Sequence, residues 1–365
     1  MARKLKSDRV LFLAAALLLA TGVVMVYSTT IQLALREQSQ IPRELVKQLM
    51  WVALGAASLV FVMRIDYRTW RNPRLIWAMV AVAVVALVAV LFTPTINGSH
   101  RWFRLGPIGG QPSEFAKLVV IIFSAAVLER RMHRIAEPGY ALLPIGALLA
   151  VVTGLVLVEP DYGTSVTLVL MAAVIILAAG LPWRHALTLG GVVGVLGALA
   201  LVIESYRVRR LLIFLDPWQD PQKDGYQLIQ SLYAVGSGGI TGTGLMEGRQ
   251  KLYYLPFAHT DFIYSVIGEE LGFWGAAAVL GLFGLLLGRA ILGARTIRSR
   301  FGGLVAVGTA ALIGYHVIVN IAMTLGVAPV TGLPLPFLSF GGTFMVSCLG
   351  AIGLLLGATA RRNEY

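Results

Sequence analysis

Acidic residues and cysteine are both scarce in this chain. Its 365 residues include 18 Asp and Glu and a single cysteine, Cys348, whereas 57% of the residues are hydrophobic. One cysteine excludes an intramolecular disulfide and a cysteine metal site, and Cys348 is predicted to be a packing residue because it lies inside an apolar run. Charged residues make up only 13% of the chain and the mean hydropathy is +0.78. These values exclude an ordinary soluble domain.

The net charge of +12 does not indicate a nucleic-acid-binding surface, because the basic residues occur in short clusters between apolar runs. The first apolar run follows residues 1–9 and is too long for a typical signal peptide. It is predicted to be an uncleaved first span.

Ten apolar segments have about the length that crosses a bilayer as a helix. The alternating pattern of barrel strands is absent, so we predict an all-α integral membrane protein, a polytopic bundle of about ten transmembrane helices. The segments are residues 10–31, 45–63, 75–92, 112–129, 140–158, 163–181, 184–203, 261–288, 302–326 and 340–360. No internal repeat or low-complexity linker divides the chain, so residues 1–365 are expected to form one membrane domain.

The basic residues predict the orientation of these spans. Eighteen Lys and Arg fall on the two termini and every second connection, from Arg3 to Arg362, against five on the opposite short connections. Because cytoplasmic connections carry the excess of positive charge, both termini are predicted to be cytoplasmic. Residues 204–260 then form a long extracytoplasmic loop between spans 7 and 8, and such a loop usually carries function or its own helices. Its glycine-rich segment, residues 236–244, lacks the ending of a phosphate-binding loop and is predicted to be a flexible turn.

Carboxylates at membrane depth are candidate functional groups, because charge there is costly unless it is paired or faces a watery cavity. Glu114 and Lys117 stand three residues apart on the fourth span, a spacing that fits either a structural salt bridge or a charged lining for a polar headgroup. Glu159 and Asp161 lie in a turn between two spans. Asp161 is expected either to cap the next helix or to belong to a functional site.

Asp261 ends the long loop and opens an apolar span. It is interpreted either as an N-terminal helix cap or as a functional carboxylate at the membrane boundary. Glu269 is eight residues farther along this span and is predicted to lie about 12 Å deeper than Asp261, and Glu270 is predicted to point roughly opposite to Asp261. These two residues are therefore expected to hydrogen-bond between helices. His259 and Asp261 are too small a ligand set to predict a metal site.

Cations and an aromatic residue accompany these acids on the predicted outer face. Trp102 is either an ordinary interfacial aromatic or part of a binding site. Arg101 beside it is suited to grip a lipid phosphate. Arg210 adds a further cation at the outer end of the seventh span.

Several long motifs carry a family resemblance. They are Arg101-Trp102, QPSEFAK at 111–117, FLDPW at 214–218, QSLYAVGSGG at 230–239, HTDFIYSVIGEE at 259–270, residues 320–326, and PVTGLPLPFLSFGG at 329–342. In these motifs the chain resembles the shape, elongation, division and sporulation family of bacterial membrane proteins, and most closely its rod-shape branch. The resemblance covers nearly the whole chain, and residues 329–337 favour a role in elongation.

The resemblance implies a ten-helix glycosyltransferase that polymerises lipid II, an undecaprenyl-linked disaccharide peptide, outside the bacterial cytoplasmic membrane. It implies a class B penicillin-binding protein as the crosslinking partner, and the clustered basic residues already argue against a nucleic-acid partner. Asp261 is the implied essential acid or base, surrounded by Trp102, Glu114, Lys117, Asp161 and Arg210. Arg101, Arg210 or a divalent cation such as Mg²⁺ or Mn²⁺ is expected to stabilise the diphosphate, and no nucleotide or organic cofactor is expected. The alternatives are a lipid II flippase and a scaffold without catalytic activity.

Overall fold

The computed structural model describes residues 8–36, 41–66, 68–95, 98–105, 108–135, 137–203, 205–223 and 225–360. These residues form thirteen α-helices and one antiparallel hairpin of two strands, β1 (Phe103–Leu105) and β2 (Ile108–Gly110). The helices are α1 (Arg9–Arg36), α2 (Arg43–Arg64), α3 (Pro73–Val90), α4 (Pro112–Arg131), α5 (Pro138–Ala141), α6 (Leu143–Val158), α7 (Tyr162–Ala178), α8 (Trp183–Val202), α9 (Ser205–Leu215), α10 (Tyr226–Gly238), α11 (Ile263–Thr296), α12 (Arg300–Thr324) and α13 (Thr343–Ala360).

Each of the ten predicted apolar segments coincides with a helix, namely α1–α4, α6–α8 and α11–α13. Seven of these helices in the described part of the chain are long and apolar enough to cross a membrane. The others are α6 and α7, which are shorter apolar helices, and α4, which carries charged residues near both ends. The predicted all-α, multi-pass membrane fold is confirmed. Residues 1–7 and 361–365, whose charges enter the prediction of orientation, lie outside the described residues.

Two groups of buried apolar side chains form the interior. The first joins α1, α11, α12 and α13, and the second joins α3, α4, α6 and α7. Helix α12 belongs to both, because Ile313 packs in the first group and the adjacent Leu312 in the second. The polar residues of α12 consequently lie between the two halves of the bundle.

Helix α11 is interrupted at Gly272, whose φ of 65° lies in the left-handed region that favours glycine. The break frees two carbonyl groups, those of Glu269 and Glu270, which accept hydrogen bonds from the N–H groups of Thr243 and Gly244 at 2.9 and 3.0 Å. In exchange, the N–H of Phe273 donates to the carbonyl of Gly239 at 2.9 Å. The glycine-rich segment predicted to be a flexible turn therefore satisfies the backbone of a broken helix, which is a requirement at membrane depth.

The two parts of α11 run in opposite directions along α1. Asp8, at the start of α1, pairs with Arg289 in the long second part at 2.5 Å, whereas Ser28, near the other end of α1, hydrogen-bonds to Glu270 at 2.7 Å. The phenol of Tyr264 in the short first part donates to the carbonyl of Ala276 in the second at 3.2 Å. The chain thus reverses at Gly272.

This reversal changes the depth of Asp261. The backbone at Gly22 of α1 lies against Phe337 and Leu338. The residues after Leu338, Ser339 and Phe340, donate hydrogen bonds to the carbonyls of Thr260 and His259, respectively. Ser28 is six residues farther along α1, so the chain at Asp261 lies roughly 9 Å closer than Glu270 to the Asp8 end of α1. The expectation that Glu269 lies deeper than Asp261 is wrong, because it assumed a continuous helix.

Candidate functional site

Asp261 lies half-buried in the turn that precedes α11. The N-terminal cap of α11 is Phe262, and no side chain hydrogen-bonds at this cap, so the interpretation of Asp261 as a helix cap is wrong. Instead its backbone carbonyl accepts a hydrogen bond from Nδ2 of Asn320 at 2.8 Å. Its carboxylate faces Gly332, where an added Cβ would lie 3.7 Å from Oδ2. The side chain is therefore available for chemistry rather than used in local structure.

The environment of Asp261 suits a general base. Burial raises its pKa to about 6, and the nearby charge of Arg210 opposes that rise. At pH 7 the carboxylate is mostly ionised, and its pKa is close enough to neutrality for efficient proton transfer. Arg210 itself is held by a hydrogen bond from its guanidinium to the carbonyl of Val330 at 3.1 Å.

The loop between α12 and α13, residues 325–342, connects the candidate residues and is called the hub loop below. Nδ2 of Asn320 donates to the carbonyl of Leu333 at 2.8 Å as well as to Asp261. His316, one helical turn earlier on α12, contacts the carbonyl of Pro334 through Nδ1 at 3.3 Å. Gly163, at the start of α7, packs against Thr331 and Leu333. The hub loop therefore links Asp261 to the region of Asp161.

Glu114 and Lys117 form the predicted pair, with Nζ of Lys117 2.9 Å from Oε1 of Glu114. Lys117 is fully buried and also lies 3.3 Å from Nε2 of His316 and over the ring of Phe344. Because an ammonium group only donates, Nε2 of His316 accepts, and the proton of the neutral imidazole is assigned to Nδ1, which donates to Pro334. Pairing is confirmed, and His316 extends the pair to the hub loop.

Asp161 both caps a helix and belongs to a cluster. Its carboxylate accepts from the N–H and Oγ1 of Thr164 at 3.0 and 2.9 Å, as a cap of α7. It also accepts from Nε2 of Gln111 at 3.2 Å and lies 3.9 Å from the guanidinium of Arg101. The two alternatives for Asp161 are therefore compatible.

Arg101 is tied to the turn that contains Glu159. Its Nε donates to the carbonyl of Glu159 at 3.0 Å, and its guanidinium also donates to the carbonyl of Pro160. Both carboxylate oxygens of Glu159 are buried and have no hydrogen-bond partner among the described residues. Burial, with a further contribution from Asp161, raises the pKa of Glu159 to about 8 against the charge of Arg101. Glu159 is therefore mainly protonated at pH 7, and Arg101 retains its positive charge for other partners.

Trp102 lies half-buried immediately before the β-hairpin. Its carbonyl accepts from Oγ1 of Thr93 at 3.4 Å, and its ring lies over Gly109. It adjoins Arg101 in the chain. A role of Trp102 in substrate binding stays a prediction.

Glu269 and Glu270 lie apart from Asp261, as expected. Glu270 bonds to Ser28 of α1 and to Lys251, and Glu269 accepts from the backbone N–H groups of Arg249 and Gln250. The prediction that they form hydrogen bonds between elements is confirmed for Glu270 and α1.

Two functional candidates emerge only from the structure, His316 and Asn320. Both are fully buried polar residues on the apolar helix α12. Polar side chains four residues apart in a transmembrane span are a recognisable signal, but their partners on the hub loop and at Asp261 are distant in sequence. Among the described residues, no three His, Cys, Asp or Glu side chains are grouped to hold a metal ion.

The arrangement therefore combines a carboxylate base with two arginines held by backbone carbonyls and a buried charged pair. It suits a reaction in which a hydroxyl loses a proton while negative charge develops on a leaving group.

Comparison with known proteins places the chain in one family. The family model FTSW_RODA_SPOVE, described as "Cell cycle protein", matches residues 8–364. The chain is 40% identical over 360 residues to the probable peptidoglycan glycosyltransferase FtsW of Trichlorobacter lovleyi, covering 97% of this chain and 93% of that protein. It is 36% identical over 365 residues to stage V sporulation protein E of Bacillus subtilis, covering 100% and 99%.

Solved structures agree with this placement. A chain in a peptidoglycan synthase complex, described as coordinating polymerization and crosslinking, is 32% identical with a TM-score of 0.82 and coverage of 99% and 100%. The rod shape determining protein RodA of Thermus thermophilus is 29% identical with a TM-score of 0.74 and coverage of 99% of both chains.

Proposed function

Because the chain belongs to the FtsW, RodA and SpoVE family, we propose that it is a peptidoglycan glycosyltransferase that polymerises lipid II into glycan strands. The single observation that carries this proposal is Asp261, a carboxylate with a pKa of about 6 beside Arg210 and free of a capping role. The reaction takes place at the outer face of the bacterial cytoplasmic membrane, and both termini are cytoplasmic. The positive-inside distribution of Lys and Arg supports this orientation.

The chemistry that Asp261 supports is a single displacement. The 4-hydroxyl of the acceptor sugar attacks the anomeric carbon of the donor, and Asp261 takes the hydroxyl proton. The new C–O bond forms as the bond to the lipid diphosphate breaks, and one attack inverts the anomeric carbon. Arg101 and Arg210 stabilise the negative charge on the departing diphosphate. Trp102, Glu114, Lys117 and Asp161 line the substrate cavity in this proposal.

A divalent cation remains part of the proposal only as a companion of the substrate. Since no three metal-ligating side chains are grouped among the described residues, Mg²⁺ or Mn²⁺ would take most of its ligands from diphosphate oxygens and water. When bound, such an ion would neutralise leaving-group charge. Titration of purified protein with Mg²⁺ and EDTA during polymerisation tests this point.

We assign the chain to the elongation process on the segment 329–337, and this finer assignment stays a prediction. Relatives at 36–40% identity carry division and sporulation names, whereas RodA structures match at 29% identity. Complementation of strains depleted of either the elongation or the division enzyme tests it, and rescue of division alone would contradict it.

The proposed partner is a class B penicillin-binding protein related to PBP2. The similarity to a chain in a peptidoglycan synthase complex supports a partner of this kind.

Purified chain supplied with lipid II in detergent is expected to produce a ladder of glycan strands, and a class B penicillin-binding protein is expected to increase the yield. A flippase would move lipid II across vesicles without making polymer. A scaffold would do neither alone and would show no polymer that depends on Asp261. Absence of polymer under all conditions, with and without partner and Mg²⁺, would sink the proposal.

Replacing Arg210 with Gln is expected to change the pH dependence of polymerisation. Asp261 acts ionised, so activity should fall as pH drops below about 6. Removing the positive charge of Arg210 raises the pKa of Asp261, so the ratio of the rate at pH 8 to that at pH 6 should increase by a factor of about 3 or more.

The matched control for this measurement is Arg209→Gln. Arg209 is the neighbouring residue on α9 and pairs with Asp220 at 3.3 Å. Its replacement should leave the rate ratio between pH 8 and pH 6 unchanged. An equal change of that ratio in both variants would contradict a specific influence of Arg210 on Asp261.

A further inference from the structure

A buried ion pair joins one residue before Asp261 in the chain, Lys251, to one after it, Glu270. Nζ of Lys251 is 2.5 Å from Oε1 of Glu270, and both side chains are almost fully buried. Ser28 of α1 completes the group, because its Oγ lies 2.7 Å from Oε1 of Glu270 and 2.8 Å from Nζ of Lys251. We call Ser28, Lys251 and Glu270 the clamp.

The clamp closes the base of an excursion that carries Asp261. Lys251 and Glu270 are 19 positions apart, and Asp261 lies ten residues after the first and nine before the second. Since the chain at Asp261 lies nearer the Asp8 end of α1 than Glu270 does, residues 251–270 descend from the clamp and return to it. Asp261 is therefore at the far end of a closed excursion.

The closed end of the excursion, at Lys251 and Glu270, is fixed by more than one interaction. The carboxylate of Glu270 also accepts from the N–H of Met246 at 3.0 Å, and Glu269 accepts from the N–H groups of Arg249 and Gln250 at 2.7 and 3.1 Å. These carboxylates hold the backbone just before Lys251 against the short first part of α11.

The excursion contains strained backbone. Tyr253 and Phe257 have φ values of 76° and 56°, in a region that residues other than glycine rarely adopt. Such conformations persist only where the surrounding structure imposes them. At the far end, the carbonyls of His259, Thr260 and Asp261 are bonded to Phe340, Ser339 and Asn320. The base of the excursion has no such contact with the hub loop in the described residues, and the clamp holds it instead.

Stability alone does not account for this group. A buried ion pair seldom stabilises a protein more than apolar residues of similar volume would, whereas a fixed charge pair specifies one geometry. Besides the hydrogen bond of Ser28 to Glu270, the ion pair of Asp8 with Arg289 also links α1 to α11, at the opposite end of α1. If the clamp also sets the position of Asp261, its loss should reduce activity, whereas loss of the Asp8–Arg289 pair should not.

We propose that Lys251 and Glu270 are positioning residues that set the placement of Asp261 by closing the base of its excursion. This inference rests on the proposed function of Asp261. It assigns to the clamp no contact with substrate. Opening the clamp should release the strained excursion and displace the carboxylate, and a displacement of about 1 Å can reduce a rate on the order of 100-fold.

The test uses the double variant Lys251→Met/Glu270→Gln, which removes both charges and leaves neither unpaired. The expected result is a fall in kcat of about 10- to 100-fold with little change in KM for lipid II. The control is Asp8→Asn, which weakens the other link between α1 and α11 and should leave kcat within about twofold of the wild type.

A second readout separates positioning from general destabilisation. Ala258 is a buried residue of the excursion, and the native Cys348 is fully buried. In an Ala258→Cys background, the rate of labelling by a water-soluble maleimide therefore measures how often the excursion opens. Labelling should be slow in the wild-type and Asp8→Asn backgrounds and at least about tenfold faster in the clamp variant. Wild-type kcat with slow labelling in the clamp variant would overturn the proposal, as would an equal loss of kcat in the clamp variant and in Asp8→Asn.

If the double variant does not fold, Lys251→Arg is measured in the same way, since it keeps the charge and changes its reach. A lowered kcat with faster labelling then supports the clamp, and wild-type values of both overturn it. Failure of the proposed function would appear differently, as full activity of a variant that lacks the Asp261 carboxylate.

Discussion

Polymerisation of lipid II by the purified Asp261→Asn variant is expected to be at least about 100-fold slower than by the wild type, because a positioned general base typically contributes a factor of 10² to 10⁴. Asn has the shape of Asp and cannot accept the acceptor hydroxyl proton at neutral pH. The hydrogen bond from Asn320 reaches the backbone carbonyl of residue 261, so the local fold should survive. Initial rates from the glycan ladder, together with thermal unfolding in detergent, measure the two effects separately.

Glu247→Gln is the matched control for this substitution. Glu247 is an exposed acid on the same connection between α8 and α11. Its replacement with Gln removes the same charge as Asp261→Asn without touching the site. It should polymerise lipid II at the wild-type rate. A normal ladder from Asp261→Asn would refute the assignment of the base, whatever the control shows.

Replacing Lys117 with Met is expected to destabilise the protein by about 3–5 kcal/mol, because it leaves the buried carboxylate of Glu114 without its countercharge. The contact of Lys117 with Nε2 of His316 is lost as well. Thermal or denaturant unfolding in detergent measures the loss.

The double variant Lys117→Met/Glu114→Gln distinguishes structure from function at this pair. It contains no unpaired charge, so most of the lost stability should return. If the pair lines the substrate cavity, polymerisation should remain low in the double variant. Recovery of both stability and activity would identify the pair as a structural salt bridge, which is the alternative that the sequence leaves open.

Local patterns in the sequence account for much of the fold. Ten apolar runs predict the ten apolar helices, because backbone groups in hydrocarbon must pair within the segment. The salt bridge of Glu114 with Lys117 and the cap that Asp161 forms for α7 are also local, since their partners lie three residues away. The family motifs single out Asp261 among the acids.

The depth of Asp261 depends on contacts that are distant in sequence. The reversal at Gly272 requires hydrogen bonds with residues 239–244, and a hydropathy pattern shows only one apolar run through it. A prediction from helical rise therefore placed Glu269 and Glu270 on the wrong side of Asp261. The contacts of Glu270 with Ser28 and Lys251 join side chains that are 242 and 19 positions apart.

Neighbouring residues carry the signals that predict the all-α membrane fold, the family and the candidate base Asp261, because apolar length, charge bias and motifs are local properties of a sequence. How Asp261 is held depends on contacts that form when the chain folds. Asn320 and the hub loop contact Asp261, His316 contacts the hub loop, and the clamp closes the excursion that carries Asp261, all through packing of helices from both ends of the chain. Hydrogen bonds across such distances follow from the folded geometry and leave no periodic pattern in the sequence.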